Sequence, residues 1–375
     1  MHLSLTLPAR INVLGNPSDA LEGAHAVISA AVEIRAGAFV EEADQLTFEA
    51  LHREDDGWAV TERLSADPHN LSYDGHFDLS KGAINRLCRY TPELRELIAQ
   101  RPFKIATWSD VPRQSGMGGS SLFVLLTLAA LRAFYDLDPL RHNDYLLAEL
   151  TQRVECQELG IMCGFADRYV PLFGGLAYMD FRGKLYHKPI KEERYVTYER
   201  LDDYVPHLPL VIAYTGIVRD SGDVHGCLRP RYLEEHECYQ AQGGEPPFMV
   251  RVMEEVGATA WRGKIALLEG DWETFGALMN ENHRLVNEMM HYCGFDEGAG
   301  WANNLLIETA LAQGALGAKL TGAGGGGSVF ALVRPGEEER MADVLLRTAR
   351  QKALDGARVF HCRIARRGLV LEVGG

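Results

Sequence analysis

No stretch of this sequence is apolar enough to cross a membrane. About 18 uncharged residues are needed, and the longest apolar run, 122–131, stops at Arg132. The opening Met1-His2-Leu3-Ser4 lacks a basic segment and a cleavage pattern. No secretory leader is expected, and a cytoplasmic location is. Cysteine is sparse: seven residues with no Cys-x-x-Cys pair. That argues against a disulfide frame and against a cysteine-type zinc site. Positive charge is in deficit, with 38 Lys and Arg against 52 Asp and Glu, a net charge of −14. A general nucleic-acid binder needs a basic footprint, so that class is excluded. A nucleotide ligand is not excluded, because a local nest of backbone N–H groups and a metal ion can hold phosphates on an acidic protein. The Walker A pattern Gly-x-x-x-x-Gly-Lys-Ser/Thr is also missing, as are internal repeats.

What is present is a soluble globular balance, 46% apolar and 24% charged, over 375 residues. That length has room for two or three domains. Glycine is concentrated in two places. Residues 319–330 read Lys-Leu-Thr-Gly-Ala-Gly-Gly-Gly-Gly-Ser-Val-Phe. A flexible linker would have polar flanks, whereas here an apolar run, 329–333, follows. The pattern predicts a tight loop and then a buried strand. Upstream, Pro112-Arg113-Gln114-Ser115-Gly116-Met117-Gly118-Gly119-Ser120-Ser121 leads into an apolar segment of helical length. Ser120 or Ser121 can cap that helix. A glycine loop opening a helix N-terminus suits an anion, because free N–H groups and the macrodipole both favour negative charge. The alternative is an ordinary turn before a core helix.

Strand-like runs fill the first part: 4–14, 26–34, 38–42, 46–51 and 103–108. Helices are predicted over 121–135 and 143–159, with Gly160 ending the second. Glu155 and Glu158 fall three apart on it and share a face. A strand is predicted over 176–181, and the polar segment 182–203 is the expected domain boundary. Further helices are predicted over 257–268, 272–291, 299–312 and 337–353, with strands at 208–214 and 359–364. The mixture lacks a regular βα alternation, which predicts an α+β fold in two lobes.

Three segments, in order, resemble the GHMP kinase superfamily of sugar and mevalonate kinases. Residues 8–19, Pro-Ala-Arg-Ile-Asn-Val-Leu-Gly-Asn-Pro-Ser-Asp, are similar to its first motif. Residues 112–121 resemble its phosphate loop, and 317–327 its glycine-rich third motif. Within the superfamily, the Gly-Asn-Pro-Ser-Asp turn, Val111 to Gly116, 158–168 and 220–225 resemble the glucuronokinase branch. Heptose kinases share parts of the central segment.

The resemblance implies an N-terminal lobe of ribosomal-protein-S5-like form, expected over 1–190, and a ferredoxin-like lobe over 191–375, with a cleft between them. It implies transfer of the ATP γ-phosphoryl group to a sugar hydroxyl, with glucuronic acid and its anomeric hydroxyl as the leading expectation. A heptose, another hexose or pentose, a mevalonate-like acid, or a ligand sensor on the same fold are the alternatives. Residues 112–121 would wrap the phosphates. Mg²⁺ would take a hydroxyl from Ser120 or Ser121 and one of Glu155 and Glu158, the resemblance favouring Glu158. Asp167 would be the base, and Arg10 or Lys319 would stabilise charge on the phosphoryl group. Asn16, Asp19, Asp167, Arg168, Gly324 and Gly325 would meet the sugar. A uronate carboxylate would call for an arginine, with Arg168, Arg219, Arg229 and Arg231 as candidates. His225 and His283 are expected to be structural or minor contacts. A small-molecule sugar or sugar acid is the expected partner, without nucleic acid or membrane, and a homodimer is compatible with the sequence.

Overall fold

The computed structural model describes residues 2–21, 25–55, 57–184, 195–218 and 221–374. Strand β1 (His2–Leu14) and the long β2 (Ala26–Glu42) run antiparallel, and the stretch 7–14 of β1 is wholly buried. The two strand runs expected over 26–42 are therefore one strand. Next come β3 (Thr47–Glu54), β4 (Gly57–Ser65), α1 (Asp78–Tyr90), α2 (Leu94–Gln100) and β5 (Phe103–Ser109). Helix α3 (Gly119–Phe134) follows the glycine loop, with Gly118 at its N-cap in the left-handed region (φ 80°). Helix α4 (Asp144–Arg153) starts where the Asn143 side chain accepts from the Leu146 N–H at 3.0 Å. It runs on into a π turn over Val154–Glu158. Helix α5 (Ala166–Phe173), β6 (Leu176–Asp180) and β7 (Thr197–Arg200) complete this part.

The remainder holds β8 (Leu210–Tyr214), α6 (Ser221–Gln242), α7 (Phe248–Glu269), α8 (Trp272–Tyr292), α9 (Trp301–Ala312), β9 (Gly317–Thr321), β10 (Ser328–Leu332), α10 (Glu338–Gln351), β11 (Arg358–His361) and β12 (Val370–Gly374). In α10, Met341, Ala342, Leu345 and Ala349 recur at helical spacing and form its buried side. Asp271 caps α8 by accepting from the Thr274 N–H at 2.9 Å, a bond of the kind that contributes about 1 kcal/mol.

The strands form two sheets. The first has the order β12-β1-β2-β5-β3-β4, with β6 joined to β2 and β7 to β6. Among the described residues only the β3–β5 pairing in it is parallel. The second is antiparallel, β11-β8-β10-β9. Helices α3, α5 and α7 pack on the first sheet, with α1 and α4 packed against α3, and α8, α9 and α10 pack with the second. The fold is thus α+β in two lobes, as expected. The expected division at 190/191 lies outside the described residues, and β7 and β12 both join the first sheet.

The two sheets meet at the inner half of β1. The Asn12 N–H donates to Thr321 Oγ1 at 3.1 Å. Asn282 of α8 accepts from the Gly15 N–H at 2.9 Å and donates to the Asn16 carbonyl at 3.2 Å. Lys319 of β9, fully buried, donates to the Asn16 side-chain oxygen and the Leu320 carbonyl at 2.8 Å each, and to the Asn12 carbonyl at 3.2 Å. Burial and the nearby Arg10 push its ammonium down to about 7. Lys319 therefore joins the lobes beneath the pocket and is absent from its wall.

Candidate active site

A cavity of about 590 Å³ lies over this seam. It is lined by Leu79, Ser109, Val111, Phe123 and most of the loop 112–120, together with Arg10, Asn12, Asn16, Asp19, Asp167 and His225. Period-two alternation explains Arg10 and Asn12. Arg10 and Asn12 share one face of β1 and turn toward the pocket, while Ile11 and Val13 enter the core.

Asp167 sits in the first turn of α5. Arg10 Nε donates to its Oδ1 at 2.6 Å, and Arg10 Nη2 pairs with its Oδ2. The Asn12 amide donates to Oδ1 at 3.4 Å, and Ser29 fixes that amide by donating to its oxygen at 2.7 Å. Burial would raise the Asp167 pKa, but Arg10 and Arg168 outweigh it and hold the carboxyl down to about 2. Arg10 also donates to the Gly116 carbonyl, so one guanidinium ties the aspartate to the phosphate loop.

Asp19 has the opposite electrostatics. Burial, and then the neighbouring Asp167, raise its pKa. Its Oδ2 accepts from the Phe165 and Ala166 N–H groups at 2.9 Å each, capping α5 from a distant part of the chain. Gly164 is required there, because a Cβ would stand 2.3 Å from that oxygen. Asn16 lines the pocket, and its amide donates to the Gly322 carbonyl at 3.4 Å.

Of the loop residues, Pro112, Arg113, Gln114, Ser115, Gly116, Gly118, Gly119 and Ser120 line the cavity. Met117 is instead buried in the core. The Ser115 hydroxyl is buried without a protein partner, a donor left for a ligand oxygen. The Ser120 and Ser121 hydroxyls converge on one carboxylate, donating to Glu155 at 2.6 and 2.8 Å, and Arg168 pairs with the same group. Glu158 is directed elsewhere. Arg86 and Arg89 hold it at 2.8 Å each, and Tyr73 donates to it at 3.0 Å. The wide π turn separates the two glutamates that an unbroken helix would keep on one face.

Gly324 lines the pocket, whereas Gly325 packs against Gly300 and donates to the Ala299 carbonyl at 2.7 Å. Arg168 is buried beneath the wall. Arg231 binds Glu235 and the Tyr292 hydroxyl at an exposed position, and Arg229 is buried off the wall. Arg219 lies outside the described residues. Among the described residues, the arginines on the wall are Arg10 and Arg113. His225 is on the wall too, and burial lowers its pKa to about 4, so it is neutral. His283 is off the wall, with its Nε2 3.2 Å from the Asn304 side-chain oxygen.

The family model of the GHMP kinase N-terminal domain matches residues 78–175, and that of the C-terminal domain matches 264–351. Glucuronokinase 1 of Arabidopsis thaliana is 31% identical over 331 residues, covering 86% of this chain and 83% of that protein. The chain belongs to the GHMP kinases. A second Arabidopsis relative, probable glucuronokinase 2, is 32% identical over 86% of this GHMP kinase and 82% of its own length. A D-glycero-alpha-D-manno-heptose 7-phosphate kinase of Campylobacter jejuni is 26% identical, covering 73% of each chain. The crystal structure of Lactococcus lactis galactokinase complexed with galactose superposes with a TM-score of 0.72 at 18% identity, covering 98% of this chain and 95% of that one. This GHMP kinase is a phosphotransferase, and ATP is the phosphoryl donor of its family. Among the described residues no helix is long and apolar enough to cross a membrane.

Sequence reasoning missed Asn12, Leu79, Phe123 and Thr321 on the pocket wall. Asn12 was signalled by its two-residue spacing from Arg10. The others look like ordinary core residues until the chain folds.

Proposed function

We propose that this GHMP kinase transfers the γ-phosphoryl group of ATP to the anomeric hydroxyl of glucuronic acid, giving glucuronate 1-phosphate. The carrying observation is the Asp167–Arg10–Gly116 chain of contacts, which links an ionised carboxylate to the phosphate loop across one cavity. The glucuronokinase relatives support the choice of sugar acid.

Phosphoryl transfer asks the protein for positioning and charge stabilisation. The loop 115–120 and the N-terminus of α3 would receive the nucleotide phosphates, and the apolar wall at Leu79 and Phe123 would receive its base. Asp167 would accept a hydrogen bond from the attacking hydroxyl and orient it. A carboxylate held near 2 is a weak base, so it would take the proton late, as the bond to phosphorus forms. An anomeric hydroxyl is acidic enough to suit that. Arg10 would follow the charge as it moves onto the phosphoryl oxygens. Asn16 and Asp19 would bind sugar hydroxyls, and Arg113 is placed for an anionic group.

Mg²⁺ fits the oxygen donors at Ser120, Ser121 and Glu155, because it binds through one or two carboxylates together with substrate phosphates. When bound it would neutralise phosphate charge.

The test is ADP release with MgATP against glucuronic acid, galacturonic acid, neutral hexoses, a heptose phosphate and mevalonate. A dominant signal with glucuronic acid is expected. Preference for another acceptor would overturn the substrate assignment and keep the kinase, and silence with ATP bound would favour a sensor.

A further inference from the structure

The connection between the π turn and α5 carries two cysteines beside the site. Cys156 is half-buried, and Cys163 lines the cavity. Their sulfurs lie 3.3 Å apart. A disulfide brings sulfurs to about 2.05 Å, so the pair is short of bonding by roughly 1.3 Å. Cys156 is held on that side, donating to the Ile161 carbonyl at 3.3 Å and accepting from Gln152 Nε2 at 3.2 Å. Between the two, Gly160 (φ 69°) has open space around it, which leaves the backbone room to yield. The other thiols differ. They lie on other parts of the fold: Cys88 and Cys362 are buried, Cys293 is half-buried, and Cys227 and Cys238 are exposed on α6.

We propose that Cys156 and Cys163 are a modification site: they form a reversible disulfide that switches off the adjoining phosphoryl-transfer pocket. Hydrogen peroxide is the oxidant. It converts one thiol to a sulfenic acid as its O–O bond breaks, and one water leaves. The second sulfur then attacks the first, the S–S bond forms, the S–O bond breaks, and the thiol proton departs with the oxygen as a second water. A dithiol reverses the bond by exchange. Burial keeps Cys163 protonated, so sustained exposure is needed and not a brief pulse.

The switch works through neighbours. Cys156 follows Glu155, whose carboxylate gathers Ser120 and Ser121. Cys163 precedes Gly164, which touches the Asp19 carboxylate. Closing the sulfurs strains both ends of the segment that leads to Asp167.

The test treats the full chain with hydrogen peroxide, alkylates free thiols and digests with trypsin. Cleavage after Arg153 and Arg168 leaves both cysteines in one peptide. That peptide should be unalkylated and two hydrogens lighter, and acceptor-dependent ADP release should fall at least fivefold and return with dithiothreitol. Cys156→Ser should keep its activity through the same treatment. A doubly alkylated peptide, an unchanged turnover despite the bond, or a Cys156→Ser variant as sensitive as the parent would each overturn the proposal. The peptide mass is read without any kinase assay. If no acceptor is turned over before oxidation, ATP affinity replaces turnover: a loss of at least threefold is expected, and an unchanged affinity with the bond formed overturns the switch.

Discussion

The two glycine loops look alike in sequence and do different work. In 112–121, Gly118 and Gly119 face room, whereas a Cβ on Gly116 would stand 2.6 Å from the Thr321 carbonyl oxygen at the seam with the second loop. A Cβ on Gly119 would meet nothing closer than 3.9 Å, and one on Gly118 nothing closer than 3.4 Å. In 322–327 the glycines face protein. A Cβ on Gly322 would stand 2.8 Å from the Gly116 Cα, one on Gly326 2.9 Å from the Ile217 carbonyl oxygen, and one on Gly327 3.0 Å from the Ser115 carbonyl oxygen. At Gly118 and Gly119 the first loop uses glycine so that a ligand can come close. The second uses it so that the first loop can come close. One loop is thus the mould of the other, and the phosphate loop inherits its shape from the far lobe.

Substitutions can break that contrast. The largest effect belongs on the ligand side. Asp167→Asn should cut acceptor-dependent turnover by about 10²-fold or more while ATP affinity stays within a few-fold. Steady-state kinetics and nucleotide titration check it, and near-normal turnover would remove Asp167 from the chemistry.

Next in size is the glycine pair itself. Gly322→Ala meets both a positive φ of 81° and a backbone contact. It should lose about 2–4 kcal/mol of stability in denaturant unfolding. Gly119→Ala should unfold within ~0.5 kcal/mol of the parent yet weaken ATP binding by about tenfold, roughly 1.4 kcal/mol. Equal stability losses would erase the distinction between the loops.

The two glutamates sharpen the same contrast. Glu155→Gln should raise the Mg²⁺ concentration needed for half-maximal turnover by about tenfold, as loss of one charged ligand does. Glu158→Gln should leave that requirement unchanged and lower stability by about 1–3 kcal/mol, because Arg86 loses its carboxylate. A metal response in Glu158→Gln would reverse the assignment.

A further effect is in acid. The folded Asp167 pKa lies below the usual carboxylate value, so its stabilisation is complete above about pH 4 and is lost as pH falls through about 2. The parent should therefore lose about 2 kcal/mol more than Asp167→Asn across that window. Parallel acid unfolding curves would count against a depressed pKa.

Much of this was legible in the sequence, for physical reasons. Helix α10 carries clean helical periodicity, α3 and the inner half of β1 are continuous apolar runs, and the glycine loops announce themselves by composition. Helix α5 did not, because it has eight residues and contains Pro171. Helix α6 also contains a proline, Pro230. Strand β4 is mostly exposed, so it has no buried alternation to read. In the site, Asp167, Arg10 and the loop were within reach of motif reasoning. Glu155 and Glu158 were not separable, since i and i+3 share a face only while the helix stays α. The π turn that parts them depends on packing, as does the capping of α5 by a residue 146 positions upstream.

The pairing of β12 with β1 has a consequence for how the chain is made. Residues His2 to Thr6 find partners on one side in β2, and on the other in Val370 to Gly374. Translation at ~5–20 residues per second therefore holds that edge open for roughly 20–70 seconds. During that interval the nascent first lobe displays an unpaired strand, the kind of edge that recruits strangers. Chaperone demand and aggregation in this protein should thus be set by events on the ribosome, and slow codons late in the message would cost more yield than slow codons early.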